Sequence, residues 1–248
     1  MKHFTSIRTK DGQCEAWEIS PDKEGKFPAV LMYMDAIGIR PALLHLAQRI
    51  ADRGFIVLLP NLFYRHKSLP IYDYPEKFEK EELNEKFFPL ITPWKDALTH
   101  KLLIEDAEFY LKHLLTHPKV SGTKAGIVGY CFGVGHAIRS AATYPQKVGV
   151  VVGLHGGKLL TDEQTSPHSY LKFVQAKMYF GHADHDQSMP GPMIEKFEKA
   201  LKEHALDFES EILIGAHHGY SQEDLPAFDT DASEKTFNKT IDLMKTLR

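Results

Sequence analysis

One cysteine in this chain lies in a setting that could make its sulfur react. It belongs to the run Ala125-Gly126-Ile127-Val128-Gly129-Tyr130-Cys131-Phe132-Gly133-Val134-Gly135. A short β-branched stretch meets a Gly-x-Cys-x-Gly pentapeptide and then passes into a helical pattern. A chain that turns from strand to helix over one residue strains that residue's backbone. It also needs small neighbours on either side so that strand and helix can approach. Such a bend puts the Cys131 sulfur at the carboxyl edge of a sheet and at a helix N-terminus. Both favour thiolate and help bind a developing oxyanion. The chemistry this allows is nucleophilic attack on a carbonyl carbon.

A cysteine nucleophile needs a base for its proton, and the base needs a partner to orient it. Loops after later strands are the place to look for both. Met178-Tyr179-Phe180 reads as a strand, followed by the loop Gly181-His182-Ala183-Asp184-His185-Asp186. The next strand, Phe208–Leu213, leads into Gly215-Ala216-His217-His218-Gly219-Tyr220. Asp184 competes with Asp186 for the acid; its spacing from Gly181 puts it directly beyond the expected strand end and favours it. His218 is favoured over His217 as the base, because Gly219 lets the backbone turn sharply there. Cys131, Asp184 and His218 are the expected triad, in the chain order nucleophile, acid, histidine.

Two backbone N–H groups should hold the oxyanion. One is that of Phe132, after the nucleophile. The other comes from the early loop Met32-Tyr33-Met34-Asp35-Ala36-Ile37-Gly38, with Ala36 the candidate. Asp35 in that loop is a possible supporting acid, since a carboxylate beside a thiol raises the thiol pKa; otherwise it caps the helix near Pro41 or meets solvent. Cys14, in an alternating edge segment, reads as a small buried hydrophobe. His155-Gly156-Gly157 follows the nucleophile instead of an early strand, so it contributes at most one histidine near the site. His182, Asp184, His185 and Asp186 could be metal ligands by type. Adjacent residues rarely converge on one ion, however, and no second His-rich motif sits on an early strand, so no metal and no cofactor are expected.

The elements that must position these groups alternate along the chain. Cys14–Ile19 alternates like a half-exposed strand and pairs with Phe4–Thr9 as a hairpin. Buried strands are expected at Pro28–Met34, Phe55–Leu59, Ala125–Val128, Val148–Leu154 and Ala176–Phe180. Helices are expected at Pro41–Arg53, which ends at a Gly54 C-cap, and at Asp96–His117, Gly133–Thr143, Pro192–His204 and Asp231–Leu247. This alternation predicts one α/β domain over residues 1–248: a mostly parallel sheet with helices on both faces and right-handed crossovers. Residues 61–95 break the rhythm, carrying many aromatics among charges and prolines. They read either as a lid or pocket wall, or as a surface helix anchored by its aromatics.

Composition narrows the function. The chain has 248 residues, 43% of them hydrophobic, and a formal charge of −3. It has no basic block, acidic tail, signal-like apolar segment or membrane-length apolar run, so neither nucleic acid nor membrane is an expected partner. Two cysteines make no disulfide framework and suit a reducing cytoplasm. The expected partner is a small molecule, with the protein a monomer or small homo-oligomer. A reactive thiol on the same scaffold could instead serve a binding or redox-sensing protein.

Taken together, the residues resemble the dienelactone hydrolase family. The resemblance runs from about Pro28 to the last helix. It is carried by Tyr33-Met34-Asp35-Ala36-Ile37-Gly38-Ile39, by the run from Ala51 to Phe63 that includes Arg53-Gly54-Phe55, by Gly129-Tyr130-Cys131-Phe132-Gly133, by the Gly181–Asp184 loop and by His218-Gly219-Tyr220. It implies an α/β-hydrolase fold, a Cys-His-Asp triad without cofactor, and hydrolysis of an ester or lactone through a thioester. It also implies an early-loop acid that contacts the resting thiol. In the family that acid is usually Glu, and Asp35 is one methylene shorter. The family's substrate-gripping arginine after the catalytic histidine has no counterpart in Tyr220-Ser221-Gln222-Glu223-Asp224. Arg65 could act as a carboxylate fork or be an ordinary surface arginine.

Overall fold

A computed structural model describes residues 1–247. Eight strands form one sheet in the order β1-β2-β4-β3-β5-β6-β7-β8. The hairpin expected at the start is present as β1 (Lys2–Arg8) and β2 (Gln13–Ile19), antiparallel, with Phe4 opposite Trp17. β2 also runs antiparallel to β4 (Ile56–Pro60). From β4 onward every pairing is parallel, through β3 (Ala29–Tyr33), β5 (Ala125–Tyr130), β6 (Val148–Leu154), β7 (Lys177–His185) and β8 (Phe208–His217). The inner strands β3, β4 and β5 are buried at every position. That is why they read as continuous apolar runs without alternation.

Helices between and after these strands lay apolar faces on the sheet, except that the β6–β7 crossover carries only a 3-10 helix over Pro167–Phe173. α1 (Pro41–Asp52) buries Leu43, Leu46, Ala47 and Ile50 and closes through Gly54, whose N–H bonds the Ala51 carbonyl at φ 92°. α5 (Phe132–Thr143), α6 (Gly191–Glu203) and α7 (Thr230–Met244) follow β5, β7 and β8. A single apolar cluster runs from Ile7 to Met244.

The helix expected over Asp96–His117 is shorter. α4 spans His100–Leu115, and Thr99 is its N-cap, accepting from Leu102 N–H at 3.3 Å. Asp96 belongs to the preceding helix α3 (Phe88–Ala97). α3 ends where Leu98 leaves helical geometry at ψ 83°, and Thr99 starts the next helix because its side-chain oxygen satisfies a free N–H of the first turn. The face Leu103, Ala107, Tyr110, Leu111 and Leu114 is buried as its spacing predicts.

The irregular stretch before α3 contains one helical turn, α2 (Lys80–Glu82), and a wider turn at Leu83–Phe87. Its aromatics build a small cluster of their own, with Phe78, Leu83, Phe87 and Ile91 packed around Ile37 of the early loop. Tyr74 donates its hydroxyl to the Ile37 carbonyl at 3.0 Å, and Phe78 N–H bonds the Asp224 carbonyl at 2.9 Å. The segment is thereby fastened to the loops that follow β3 and β8.

α5 approaches β3 so closely that only glycine fits between them. A Cβ on Gly133 would lie 2.7 Å from the carbonyl oxygens of both Tyr33 and Met34, and one on Gly129 would lie 2.5 Å from the Gly133 carbonyl oxygen. Gly133→Ala is therefore expected to push α5 off β3 and destabilise the protein by about 1–3 kcal/mol, the usual cost of overpacking against backbone. Urea unfolding of the variant beside the wild type measures this; an unchanged midpoint would contradict the close approach.

Candidate active site

The carboxyl ends of β3, β5, β6, β7 and β8 deliver polar groups to one edge of the sheet. After β5 the chain turns at Cys131 with φ 50° and ψ −110°, outside the regions that suit an L side chain, and α5 starts at the next residue. Cys131 N–H bonds the Leu154 carbonyl of β6 at 3.0 Å, which fixes the bend to the sheet. The thiol is partly exposed.

His218, the first residue beyond β8, brings Nε2 to 2.9 Å from Cys131 Sγ. Its Nδ1 lies 2.6 Å from Asp186 Oδ2. Ser188 holds the other oxygen of that carboxylate: its N–H and hydroxyl both donate to Asp186 Oδ1, at 2.8 and 2.6 Å. Burial by itself would lower the His218 pKa. The Cys131 sulfur and the Asp186 carboxylate on either side of the ring outweigh burial and push it up to about 11. Asp186 is lowered: burial works against its charge, but His218 and the Ser188 donors prevail. The pair is thus poised as carboxylate and imidazolium at neutral pH.

The acid at His218 is Asp186, which corrects the expectation of Asp184. β7 does not stop at Phe180 but continues through His185, so Asp184 is still within the strand. There the register shifts: Ala183 pairs with Leu213 and His185 with His217, so β8 carries extra residues opposite Asp184. Asp184 Oδ2 accepts the N–H of Gly215, in the bulge, at 3.0 Å. Its carboxylate serves the bulge, and the first acid past the strand end is Asp186. His217 is exposed, its ring 4.8 Å from that of His185.

Ala36 and Phe132 both line a cleft with Cys131. Phe132 is the first residue of α5, where a helix offers its N–H no internal acceptor. Asp35 also borders Cys131 across the neighbouring cleft. Its Oδ1, however, is taken by the N–H groups of Ile37 and Gly38, at 2.8 and 3.3 Å, and by Arg40 Nη1 at 2.9 Å. Arg40 is fully buried and also pairs with Asp224 on the loop after His218, Nη2 to Oδ1 at 3.1 Å. Asp35 is held by the guanidinium, with Oδ2 buried and without a partner.

The remaining candidates take other places. Cys14 is buried, its thiol pushed up to about 12 chiefly by burial. Arg65 is bound by Asp11 and Asp106, both at 2.7 Å, so its fork is occupied inside the fold. His182 is buried with neither ring nitrogen bonded. Among the described residues, no three His, Cys, Asp or Glu side chains converge as metal ligands would. Sequence reasoning did not single out Ser188, Arg40, Asp224 or Ser221. Ser188, two residues after Asp186, has the spacing of a local turn in which an Asp accepts from the backbone. His155, at φ 40°, bonds Ser221 Oγ through Nε2 at 2.7 Å and lies 5.4 Å from His218, ring to ring.

Cys131 and His218 sit where two clefts meet, of about 740 and 730 Å³. The model of the dienelactone hydrolase family matches residues 14–248. The chain belongs to the dienelactone hydrolase family. It is 21% identical over 246 residues to a Synechocystis protein named "Putative carboxymethylenebutenolidase", covering 98% of this chain and 96% of that one. A carboxymethylenebutenolidase of Rhodococcus opacus is 25% identical over 126 residues, half of this chain and 42% of its own length. Among solved structures, a dienelactone hydrolase-like promiscuous phosphotriesterase from metagenomic libraries superposes with a TM-score of 0.80 at 18% identity, over 100% of this chain and 98% of that one. The fold of this hydrolase is accordingly that of the α/β-hydrolases. No helix among the described residues is long and apolar enough to cross a membrane.

Because the carboxylate beside His218 favours the charged ring, removing it must lower the imidazole's pKa. Asp186→Asn is expected to shift the His218 titration down from about 11, while Asp184→Asn leaves it in place. Nitrogen-15 NMR of the imidazole over a pH series reads both; a shift in the Asp184 variant instead would restore the original expectation.

Proposed function

We propose that the protein hydrolyses a small carboxylic ester or lactone through a thioester on Cys131. The observation that carries this reading is the unbroken line of contacts from Cys131 Sγ through His218 to Asp186, 2.9 Å on one side of the ring and 2.6 Å on the other. His218 Nε2, 2.9 Å from Sγ, is placed to take the thiol proton as the sulfur attacks, and its raised pKa favours the imidazolium that results.

The sulfur attacks the ester carbonyl, and the carbonyl π electrons move onto oxygen. The N–H groups of Ala36 and Phe132 receive that oxyanion. When the intermediate collapses, the carbon–oxygen bond of the ester breaks, and His218 Nε2–H passes its proton to the departing alkoxide. Neutral His218 then takes a proton from water as the water oxygen attacks the thioester. Collapse releases the carboxylic acid and leaves thiolate and imidazolium. Asp186 keeps Nδ1 protonated and the ring aimed, and Ser188 keeps Asp186 ionised. One oxyanion donor is worth about 3 kcal/mol of barrier, so the tight seating of α5 on β3 matters as much as the sulfur.

Cys131→Ala is expected to abolish turnover of para-nitrophenyl esters with circular dichroism unchanged, and Asp186→Asn to lower kcat/KM by roughly 10²–10⁴-fold. Mass spectrometry of wild type quenched during turnover should find the acyl group on Cys131. Full activity in Cys131→Ala would overturn the mechanism. A thiol that alkylates readily in a protein without any esterase or lactonase activity would favour a redox sensor.

A further inference from the structure

Three arginines of this chain are largely withdrawn from solvent, and two of them are neutralised twice over. Arg40 pairs with Asp35 and Asp224, and Arg65 with Asp11 and Asp106. The third, Arg139, is only 5% exposed, and among the described residues no Asp or Glu forms an ion pair with it. One of its nitrogens, Nη2, donates to the Thr165 carbonyl at 2.6 Å, the Tyr170 side chain is a second polar neighbour, and Glu163 is the nearest acid, but Nε is buried with no partner. Burial lowers its pKa only to about 10, so it remains a cation at neutral pH. A buried charge without a counter-charge is unfavourable, and proteins keep few of them.

Arg139 borders the cleft that opens from Cys131 along α5. Its side chain folds back towards the catalytic end of the helix: a Cβ on Gly135 would lie 2.9 Å from Nη1. A methyl group there would oblige the guanidinium to move aside. His136 and His100 line the same cleft, with both ring nitrogens of His136 and Nδ1 of His100 buried and unbonded. Burial holds both rings below the ordinary histidine pKa, so each is a neutral donor or acceptor. The acids at this cleft, Asp96 and Glu163, are exposed. The cleft on the other side of Cys131 combines an apolar stretch of Ile37, Leu83, Phe88 and Leu225 with Lys80, Asn84 and Gln187, and among the described residues it holds no arginine.

We propose that Arg139, with His136 and His100 beside it, is a carboxylate subsite, and that the substrate is an elongated ester with an acid group on one arm and an apolar group on the other. This rests on the ester-hydrolase reading of Cys131. The planar guanidinium matches a carboxylate in a bidentate pair. Gly135 is four residues from Cys131, about 6 Å along the helix axis, so the acid group sits several methylenes from the carbonyl. A compact lactone would fill neither cleft, since each is of a size that takes a drug-sized molecule.

The test compares the para-nitrophenyl half ester of adipic acid with para-nitrophenyl hexanoate, a neutral ester of equal chain length. Wild type is expected to favour the half ester about tenfold or more in kcat/KM through a lower KM. Arg139→Met should collapse that ratio towards one, and Arg139→Lys should recover part of it. A wild-type ratio near one, or a ratio unchanged in Arg139→Met, would overturn the subsite and leave Arg139 as a brace for the Thr165 loop. Calorimetry with the monoamide of adipic acid, which carries the same acid arm and no ester bond, keeps the outcome separate from ester cleavage. Binding to wild type that is lost in Arg139→Met supports the subsite even if neither ester is cleaved. Failure to bind at millimolar concentration refutes it even if both are.

Discussion

The bend at Cys131 is the constraint from which the active site follows. A non-glycine residue at φ 50° and ψ −110° carries strain of about 1–3 kcal/mol, and it persists only where its surroundings over-determine it. Here they do so from three sides. Cys131 N–H is tied to β6, Gly129 lets the first turn of α5 fold onto β5, and Gly133 lets α5 rest on the carbonyls of β3. The same contacts bring the N-terminus of α5 against the end of β3, beside the loop that carries Ala36. A hydroxyl–hydroxyl bond of 2.8 Å between Tyr33 and Ser140 fastens the same helix to the same strand about two turns further along. The strained sulfur and the candidate oxyanion donors therefore share one packing solution.

A buried guanidinium carries this order to the other half of the site. Arg40 joins Asp35, in the loop after β3, to Asp224, in the loop after His218. Removing either carboxylate would leave charge in the interior with too little compensation, so the two loops are fixed relative to each other. The aromatic segment over residues 61–95 braces the same loops through Tyr74 and Phe78. Asp35 is thereby committed to Arg40. Its second oxygen faces no protein donor, although the residue borders the cleft at Cys131. The shorter acid at this position and the arginine that holds it belong to one arrangement.

Periodicity made the sheet and most helices legible, because buried parallel strands must be continuously apolar and their crossovers amphipathic. Cys131 and His218 were legible as well, the first from glycines that sterics demand and the second from its place after the last strand. The acid was not. Choosing Asp184 over Asp186 required knowing where β7 ends, and the polar pair His182 and Asp184 looks like loop. Yet His182 is buried against Phe180 and Phe197 inside the strand, and Asp184 pairs with a bulged neighbour. Strand ends next to a bulge depend on the partner strand, which local sequence does not contain. The Thr99 boundary between α3 and α4 was missed for a different reason: apolar periodicity continues across it while the backbone leaves helical geometry at Leu98.

Long-range charge pairing lies further still from what one sequence reveals. Arg40 and Asp224 are far apart in the chain, and nothing near either residue announces the other. The structure sorts the arginines by how completely the fold satisfies them. Arg40 and Arg65 complete their bonding within the protein and act as ties. Arg139 leaves Nε unpaired, and it stands near His136, whose two ring nitrogens are unbonded, and His100, whose Nδ1 is, along the cleft that leads to the nucleophile. Scattered deficits of this kind would be defects of packing. Gathered at one wall of a reactive cleft, they describe the polarity of what the cleft receives. Across the nucleophile, the apolar stretch formed by Leu83, Phe88, Leu225 and Pro226 describes the rest.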